Sequence, residues 1–260
     1  MEENSKKKII VLKKKQQPES EPVSDGLIRL NRYISNAGIC SRRDADKLIA
    51  DGMVTVNGEV VKELGRKVSI DDDVQFDGNR LNPERKVYLL LNKPRGFVTT
   101  LDDPHAERTV MQLIQNACSE RIYPVGRLDM QTTGVLLFTN DGDLAKKLTH
   151  PSYEKSKVYH AQLDADFRPE DLEKVAKGFE LEDGFIAADQ IEYIDPNDTR
   201  QIGIEIHSGK NRIVRRIFNH LGYQVEKLDR VVFAGLTKKD LPRGRYRFLT
   251  PQEINFLKMS

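Results

Sequence analysis

Hydrophobic positions change their period several times along the chain, and each change marks an element. Residues 1–25 carry two lysine clusters, Lys6–Lys8 and Lys13–Lys15, then a Gln/Pro/Glu/Ser stretch with nothing periodic to bury, which predicts a disordered tail. From Leu27 onward, Leu30, Tyr33 and Ile34 fall at helical spacing, and Gly38 supplies a C-terminal break. Ser41 with Asp44 three residues on predicts an N-terminal cap, and Ala45, Leu48 and Ile49 give the second helix its apolar stripe up to Asp51-Gly52. Met53–Val56 then alternates as a strand, Asn57-Gly58 is a two-residue hairpin turn, and Glu59–Val61 returns. A compact helix–helix–hairpin unit over 26–84 follows.

A second unit is expected over 85–260. Val87–Leu91 is an apolar run that ends at Asn92-Lys93-Pro94, so it predicts a strand entering a loop. Further strands are predicted at Gly134–Thr139, Val158–Leu163, Ala187–Tyr193 and Gln201–His207, and helices at Asp143–Leu148, Pro169–Gly178 and Arg212–Leu221. Thr250 with Glu253 caps a terminal helix. The strands alternate without a regular strand–helix repeat, which points to an α+β domain with a mainly antiparallel sheet and not to a doubly wound one.

Composition narrows the class. With 38% hydrophobic and 32% charged residues in 260, the chain reads as a soluble globular protein with a highly charged surface. No stretch approaches the ~20 apolar residues of a membrane span, and the lysine-rich start lacks the apolar segment of a secretory signal. No membrane association, a cytoplasmic address and a monomer are expected. Cys40 and Cys118 are the only cysteines, too few for a zinc site, and no metal is expected. The net charge of +2 conceals local clusters. Arg29, Arg32, Arg42, Arg43 and Lys47 fall in or beside the two first helices, a face that suits phosphate oxygens or simple solvation equally. Between Lys210 and Arg247 lie eleven lysines and arginines, a density expected of a surface that follows a polyanion.

Taken singly, the candidate chemical residues are ambiguous. Asp129 in Gly126-Arg127-Leu128-Asp129 reads as a turn former, although a carboxylate beside a cation is also one of the few side chains able to attack a carbon and form a covalent intermediate. Tyr159 reads as core packing in an alternating strand. No histidine pairs with a nucleophile.

Longer stretches carry more. Residues 29–61, RLNRYISNAGICSRRDADKLIADGMVTVNGEVV, resemble the S4-like RNA-binding domain. NKPRGFVTT (92–100), GRLDMQTTGVLLFTNDGDLAKKLTHP (126–151), KVY (157–159) and GKNRIVRRIFNHLGYQVEKLDRVVFAGL (209–236) resemble, in order, the signature motifs of the pseudouridine synthases. With the preceding unit they resemble the RsuA/RluB/RluE/RluF branch, and the lysine-rich leader is most like its RluB type. The resemblance implies an isomerase acting on ribosomal RNA, free or in a pre-ribosomal particle, without a cofactor. It implies that Asp129 is the nucleophile, that Tyr159 packs on the target base and removes its carbon-5 proton, and that Arg215 pairs with the aspartate. Arg127 and Leu128 then fill the space left by the flipped nucleotide. Lys93, Lys210, Asn211, Arg212 and Arg216 join Arg29, Arg32, Arg42, Arg43 and Lys47 as expected RNA contacts. Ile213 stands where the family commonly has glutamine. A large-subunit (23S) target is expected; a small-subunit (16S) target or a noncatalytic assembly factor are the alternatives.

Overall fold

The computed structural model describes residues 26–101, 103 and 105–260, so the expected tail lies outside the described residues. The chain divides between Pro83 and Glu84 into two compact units.

The first unit runs β1 (Ile28–Arg29), α1 (Leu30–Asn36), α2 (Arg42–Ala50), β2 (Val54–Val56), β3 (Glu59–Val60), β4 (Lys67–Val68), β5 (Val74–Phe76) and β6 (Asn79–Arg80). Local chemistry accounts for its first half. Leu30, Tyr33 and Ile34 bury one face of α1, and the Ser41 hydroxyl accepts the Asp44 N–H at 3.2 Å to start α2. Asn57 and Gly58 both take positive φ, 53° and 85°, the geometry a tight hairpin between right-twisted strands demands. The antiparallel sheet β3-β2-β5-β6 and the β1–β4 pair close over Ala45, Ile49, Val54, Val56, Val68, Val74 and Leu81.

The second unit contains β7 (Tyr88–Lys93), β8 (Tyr123–Pro124), β9 (Thr132–Thr139), α3 (Gly142–Thr149), β10 (Lys157–Leu163), α4 (Pro169–Lys177), β11 (Phe179–Leu181), β12 (Gly184–Ile186), β13 (Gln190–Asp195), β14 (Asp198–Ile206), α5 (Ile213–His220), β15 (Val225–Phe233), β16 (Leu236–Thr237), β17 (Tyr246–Phe248) and α6 (Pro251–Met259). Its main sheet has the order β13-β14-β10-β15-β9-β7-β17, with β16 on β15 and β8 on β9. Every ladder in it is antiparallel except β15 on β9. The fold is therefore α+β with a mainly antiparallel sheet.

Sequence explains why β7 and β9 are interior strands of the sheet. Their apolar runs bury both faces, as a strand covered on two sides requires. Leu89, Leu91, Leu136 and Phe138 enter one core with Val175 of α4 and Ile213, Val214, Ile217 and Phe218 of α5. Tyr88, Leu90, Val135 and Leu137 enter the other with Leu144 and Leu148 of α3 and Leu257 of α6. Strand β15, a nine-residue element between β10 and β9, was not expected from the hydrophobic pattern. It approaches β9 closely at Gly134, where a Cβ would sit 2.1 Å from the Arg230 carbonyl, so only glycine permits that parallel pairing.

Candidate active site

The loop from Val125 to Gln131 leads into β9, and three anchors shape it. Gly126 takes φ of 73°, the left-handed conformation glycine adopts freely. The Thr99 hydroxyl donates to the Leu128 carbonyl at 2.7 Å and accepts its N–H at 3.3 Å. Lys93 is fully buried, and its ammonium donates to the carbonyls of Asp129 at 3.1 Å, Thr132 at 2.8 Å, Pro94 at 3.2 Å and Met130 at 3.4 Å. Burial pushes the Lys93 ammonium down to about 8, with Arg243 adding to the effect and Asp129 opposing it. Lys93 therefore does not reach RNA as expected. The apolar run of β7 carries it into the interior, where it holds the loop that presents Asp129.

The Asp129 carboxylate is partly open to solvent and bonds one cation: Arg212 Nη1 lies 3.1 Å from Asp129 Oδ2. Arg215 does not form that pair. It projects from within α5 and donates from Nη1 to the Val225 carbonyl at 2.6 Å, while its Nε and Nη2 are buried without a protein acceptor. Burial, Arg212 and Arg95 all disfavour its charge, and Asp129, near but not bonded to it, favours it. Arg212 reaches the carboxylate because it precedes α5 in the left-handed region, φ 47° and ψ 32°, a conformation uncommon outside glycine and concentrated at functional sites.

Asp129 and Tyr159 line one cleft together with Arg127, Lys157, Lys210, Arg212, Ile213 and Arg230. Tyr159 sits on β10 between Ile204 of β14 and Arg230 of β15, 9% exposed. Ile213 is buried in the core beneath, so the place of a glutamine is taken by apolar packing.

Other expected RNA contacts are engaged elsewhere. Leu128 is buried in the core and lines the cleft wall, and the exposed neighbours of Asp129 are Arg127 and Met130. Lys210 donates to the carbonyls of Asp183 at 2.8 Å and Gly184 at 3.1 Å, and Arg216 grips the Asp183 carboxylate with two bonds of 2.8 Å. Those two cations hold Asp183 well below the usual carboxylate range and fasten the β11–β12 hairpin to the start of α5. They are structural clamps, not free phosphate ligands. Asn211 is exposed beside them. In the first unit Arg29, Arg42 and Arg43 are exposed, Arg32 is half-buried, and Lys47 forms an exposed pair with Asp44 at 2.9 Å.

Two charged cleft residues escaped sequence reasoning, Lys157 and Arg230. Leu228 and Arg230 alternate inward on β15, a period of two that could have flagged the arginine as interior.

This constellation can attack carbon with a carboxylate kept next to a cation, beside an aromatic hydroxyl. Comparison with known proteins identifies the family. A family model described as RNA pseudouridylate synthase matches residues 87–220, and one for the S4 domain matches residues 28–74. The chain is 42% identical over 233 residues to a protein of Bacillus subtilis named ribosomal large subunit pseudouridine synthase B, covering 88% of this chain and 95% of that one. It is 39% identical over 230 residues to an uncharacterized RNA pseudouridine synthase of Aquifex aeolicus, covering 87% and 92%. A crystal structure of a pseudouridylate synthase superposes with a TM-score of 0.64 at 30% identity, over 88% of this chain and 99% of that one. The chain belongs to the RNA pseudouridylate synthases, in the RsuA/RluB-like group that carries an S4 domain. It is accordingly an isomerase.

Proposed function

We propose that this protein converts a uridine of ribosomal RNA to pseudouridine, at a site in the large-subunit (23S) RNA, with Asp129 as nucleophile and the target nucleotide flipped out of the RNA. The observation that carries the reading is the meeting of Asp129, Tyr159 and Arg212 in one cleft of a chain of this family. The choice of the large subunit follows the name of the Bacillus subtilis relative.

The cleft volume is about 170 Å³, below the ~300–1,000 Å³ of pockets for drug-sized ligands. It suits one base and leaves the rest of an RNA outside. A base inside a folded RNA must then leave its stack, at a cost of roughly a few kcal/mol, which stacking on Tyr159 and contacts from Arg127 to the backbone offset. Arg212 holds the Asp129 carboxylate in place through its 3.1 Å bond to Oδ2. After attack the bond between nitrogen 1 of the base and the sugar breaks, the base turns and rejoins the sugar through carbon 5, and Tyr159 takes the carbon-5 proton. Every atom is conserved, so the reaction needs no redox agent, energy source or cofactor. The first unit supplies capture: Arg29, Arg32, Arg42, Arg43 and Lys47 grip phosphates, and specificity comes from RNA shape and unpaired bases. No described helix is long and apolar enough to cross a membrane, and the reading places the enzyme with ribosomal RNA in the cytoplasm.

The test is to map pseudouridines in ribosomal RNA from a strain lacking the chain, by carbodiimide-dependent primer-extension stops. One stop in the large-subunit RNA should vanish and return with the restored gene. Loss confined to the small-subunit RNA would reassign the target.

A further inference from the structure

We propose that Arg230 and Lys157 form a cationic floor to the cleft that stabilises the negative charge the uracil ring takes on when its bond to ribose is broken. The proposal rests on the isomerase reading of the cleft and adds the groups that act on the base itself.

Arg230 is buried, 3% exposed, and lines the cleft. Its Nε donates to the Val135 carbonyl at 2.8 Å, and its guanidinium carbon lies 4.6 Å from the centre of the Phe233 ring. Nη2 has no protein acceptor. The ionisable group that favours its charge is Tyr159, its register partner across β10 and β15. Lys157, on the same strand as Tyr159, also lines the cleft, and its ammonium donates to the carbonyls of Lys155 at 2.9 Å and His207 at 2.8 Å. Burial comes first and Arg230 second in pushing Lys157 down to about 8, with Asp189 opposing, so the two cations feel each other.

A buried cation without a carboxylate partner is expensive, and folds rarely keep one without a use. Asp129 is the only carboxylate among the described residues that line the cleft, against five cations: Arg127, Lys157, Lys210, Arg212 and Arg230. Arg212 holds that one carboxylate and Lys210 holds the β11–β12 hairpin. Arg127 is exposed to solvent, so Arg230 and half-buried Lys157 are the sheltered cations left at a cleft that lacks a second anion until the reaction makes one.

The chemistry makes one. A carboxylate oxygen of Asp129 bonds to the sugar carbon as the carbon–nitrogen bond breaks, and the electron pair of that bond leaves with the ring, spread over nitrogen 1 and the two carbonyl oxygens. When carbon 5 bonds to the sugar, the ester oxygen leaves as carboxylate, the ring gives up its carbon-5 proton, and nitrogen 1 gains one. Attack at carbon 6 instead sends the pair onto the ring as well, toward the carbonyl at carbon 4. Fixed buried cations placed where charge develops are worth far more than the same groups in water.

The test compares full-length chain, wild type and the variants Lys157→Met, Arg230→Gln and Arg230→Lys, under single turnover on 23S ribosomal RNA transcribed with uridine or with 5-fluorouridine. Product nucleosides are resolved by chromatography after digestion; with fluorouridine carbon 5 has no proton to lose, so the product read is the carbon-5-linked nucleoside that keeps fluorine and adds water across nitrogen 1 and carbon 6. Fluorine withdraws electrons, so the ring accepts the pair without help. We expect Lys157→Met and Arg230→Gln to slow conversion of uridine by about 10²-fold, the scale of removing one preorganised donor. The slowing should shrink several-fold on fluorouridine, and Arg230→Lys should fall between wild type and Arg230→Gln. The ratio of the two rates is taken within one preparation, so a partly unfolded variant does not change it, and half-buried Lys157 gives a second variant should Arg230→Gln fail to fold. Equal slowing on both RNAs would overturn the floor and leave both residues structural. A wild-type chain that converts neither RNA would instead overturn the isomerase reading on which the floor stands.

Discussion

The two units use positive charge in opposite ways. In the first, Arg29, Arg42 and Arg43 stand exposed on or beside short helices, and the apolar cluster beneath is complete without them. In the second, Lys93 and Arg230 are buried, Lys210 and Arg216 are tied to one hairpin, and Arg212 holds the Asp129 carboxylate. An exposed arginine such as Arg42 or Arg43 of the first unit can exchange water for phosphate. A basic residue in the second mostly shapes the cleft, and its removal leaves protein acceptors unsatisfied. A count of lysines and arginines cannot distinguish these uses; burial and partners do.

The comparison breaks most visibly at Lys93. Replacing it by Met should strand the carbonyls of Asp129 and Thr132, each worth about 1–3 kcal/mol when buried without a donor, so both thermal stability and isomerisation should fall sharply. Its pH dependence has a definite sign. The folded-state value near 8 lies below the ordinary value of 10.5, so between those values the unfolded chain binds more protons and Lys93 adds stability as pH rises. The melting temperature of wild type relative to Lys93→Met should therefore climb from pH 8 to 10; a flat or falling difference would mean that the ammonium is not desolvated.

Tyr159→Phe ranks next. It keeps the stacking ring and removes the hydroxyl, so RNA affinity should hold while single-turnover isomerisation falls by roughly 10²–10⁴, the range of general acid–base catalysis. Near wild-type rates would leave Tyr159 as packing only.

Arg212 and Arg215 sharpen the comparison inside the cleft. Arg212→Ala removes a half-exposed pair worth at most ~1 kcal/mol, so the melting temperature should barely move while turnover drops about fivefold. Arg215→Ala should lower the melting temperature, because its guanidinium serves the Val225 carbonyl. Paired melting and rate measurements separate the two, and the reverse pattern would make Arg215 the working partner of Asp129.

The smallest effect separates the two units directly. Arg42→Ala with Arg43→Ala should reduce the slope of log affinity against log salt by about 0.7 to 0.9 for each phosphate no longer neutralised, leaving turnover at saturating enzyme unchanged. Lys210→Ala should leave the slope alone and loosen the β11–β12 hairpin. Salt titrations of RNA binding decide between the units.

Legibility followed the range of the interactions. The Ser41–Asp44 cap, the Asn57-Gly58 turn and the Thr250–Glu253 box are short-range, and the helices and hairpin they start are where sequence puts them. The runs of β7 and β9 announce burial on both faces. Strand β15 was hidden because Glu226, Lys227, Asp229 and Arg230 interrupt its apolar pattern, and what holds it is distant: the space left at Gly134, the Val135 carbonyl and the ladder to β10. The cleft divides the same way. Motifs bring Asp129 and Tyr159 to attention, but no local signal tells that Lys93 turns inward to carbonyls more than thirty residues away, or that Arg212 and not Arg215 bonds the carboxylate.

The central claim is that Asp129 is the nucleophile, and the most direct measurement is tritium release from carbon 5 of uridine-labelled 23S ribosomal RNA under single-turnover conditions, with wild type and Asp129→Asn side by side. Wild type should release tritium in proportion to the pseudouridine formed, and Asp129→Asn should release none while binding the RNA within a few-fold of wild type. Measurable release by a folded Asp129→Asn protein would contradict the account.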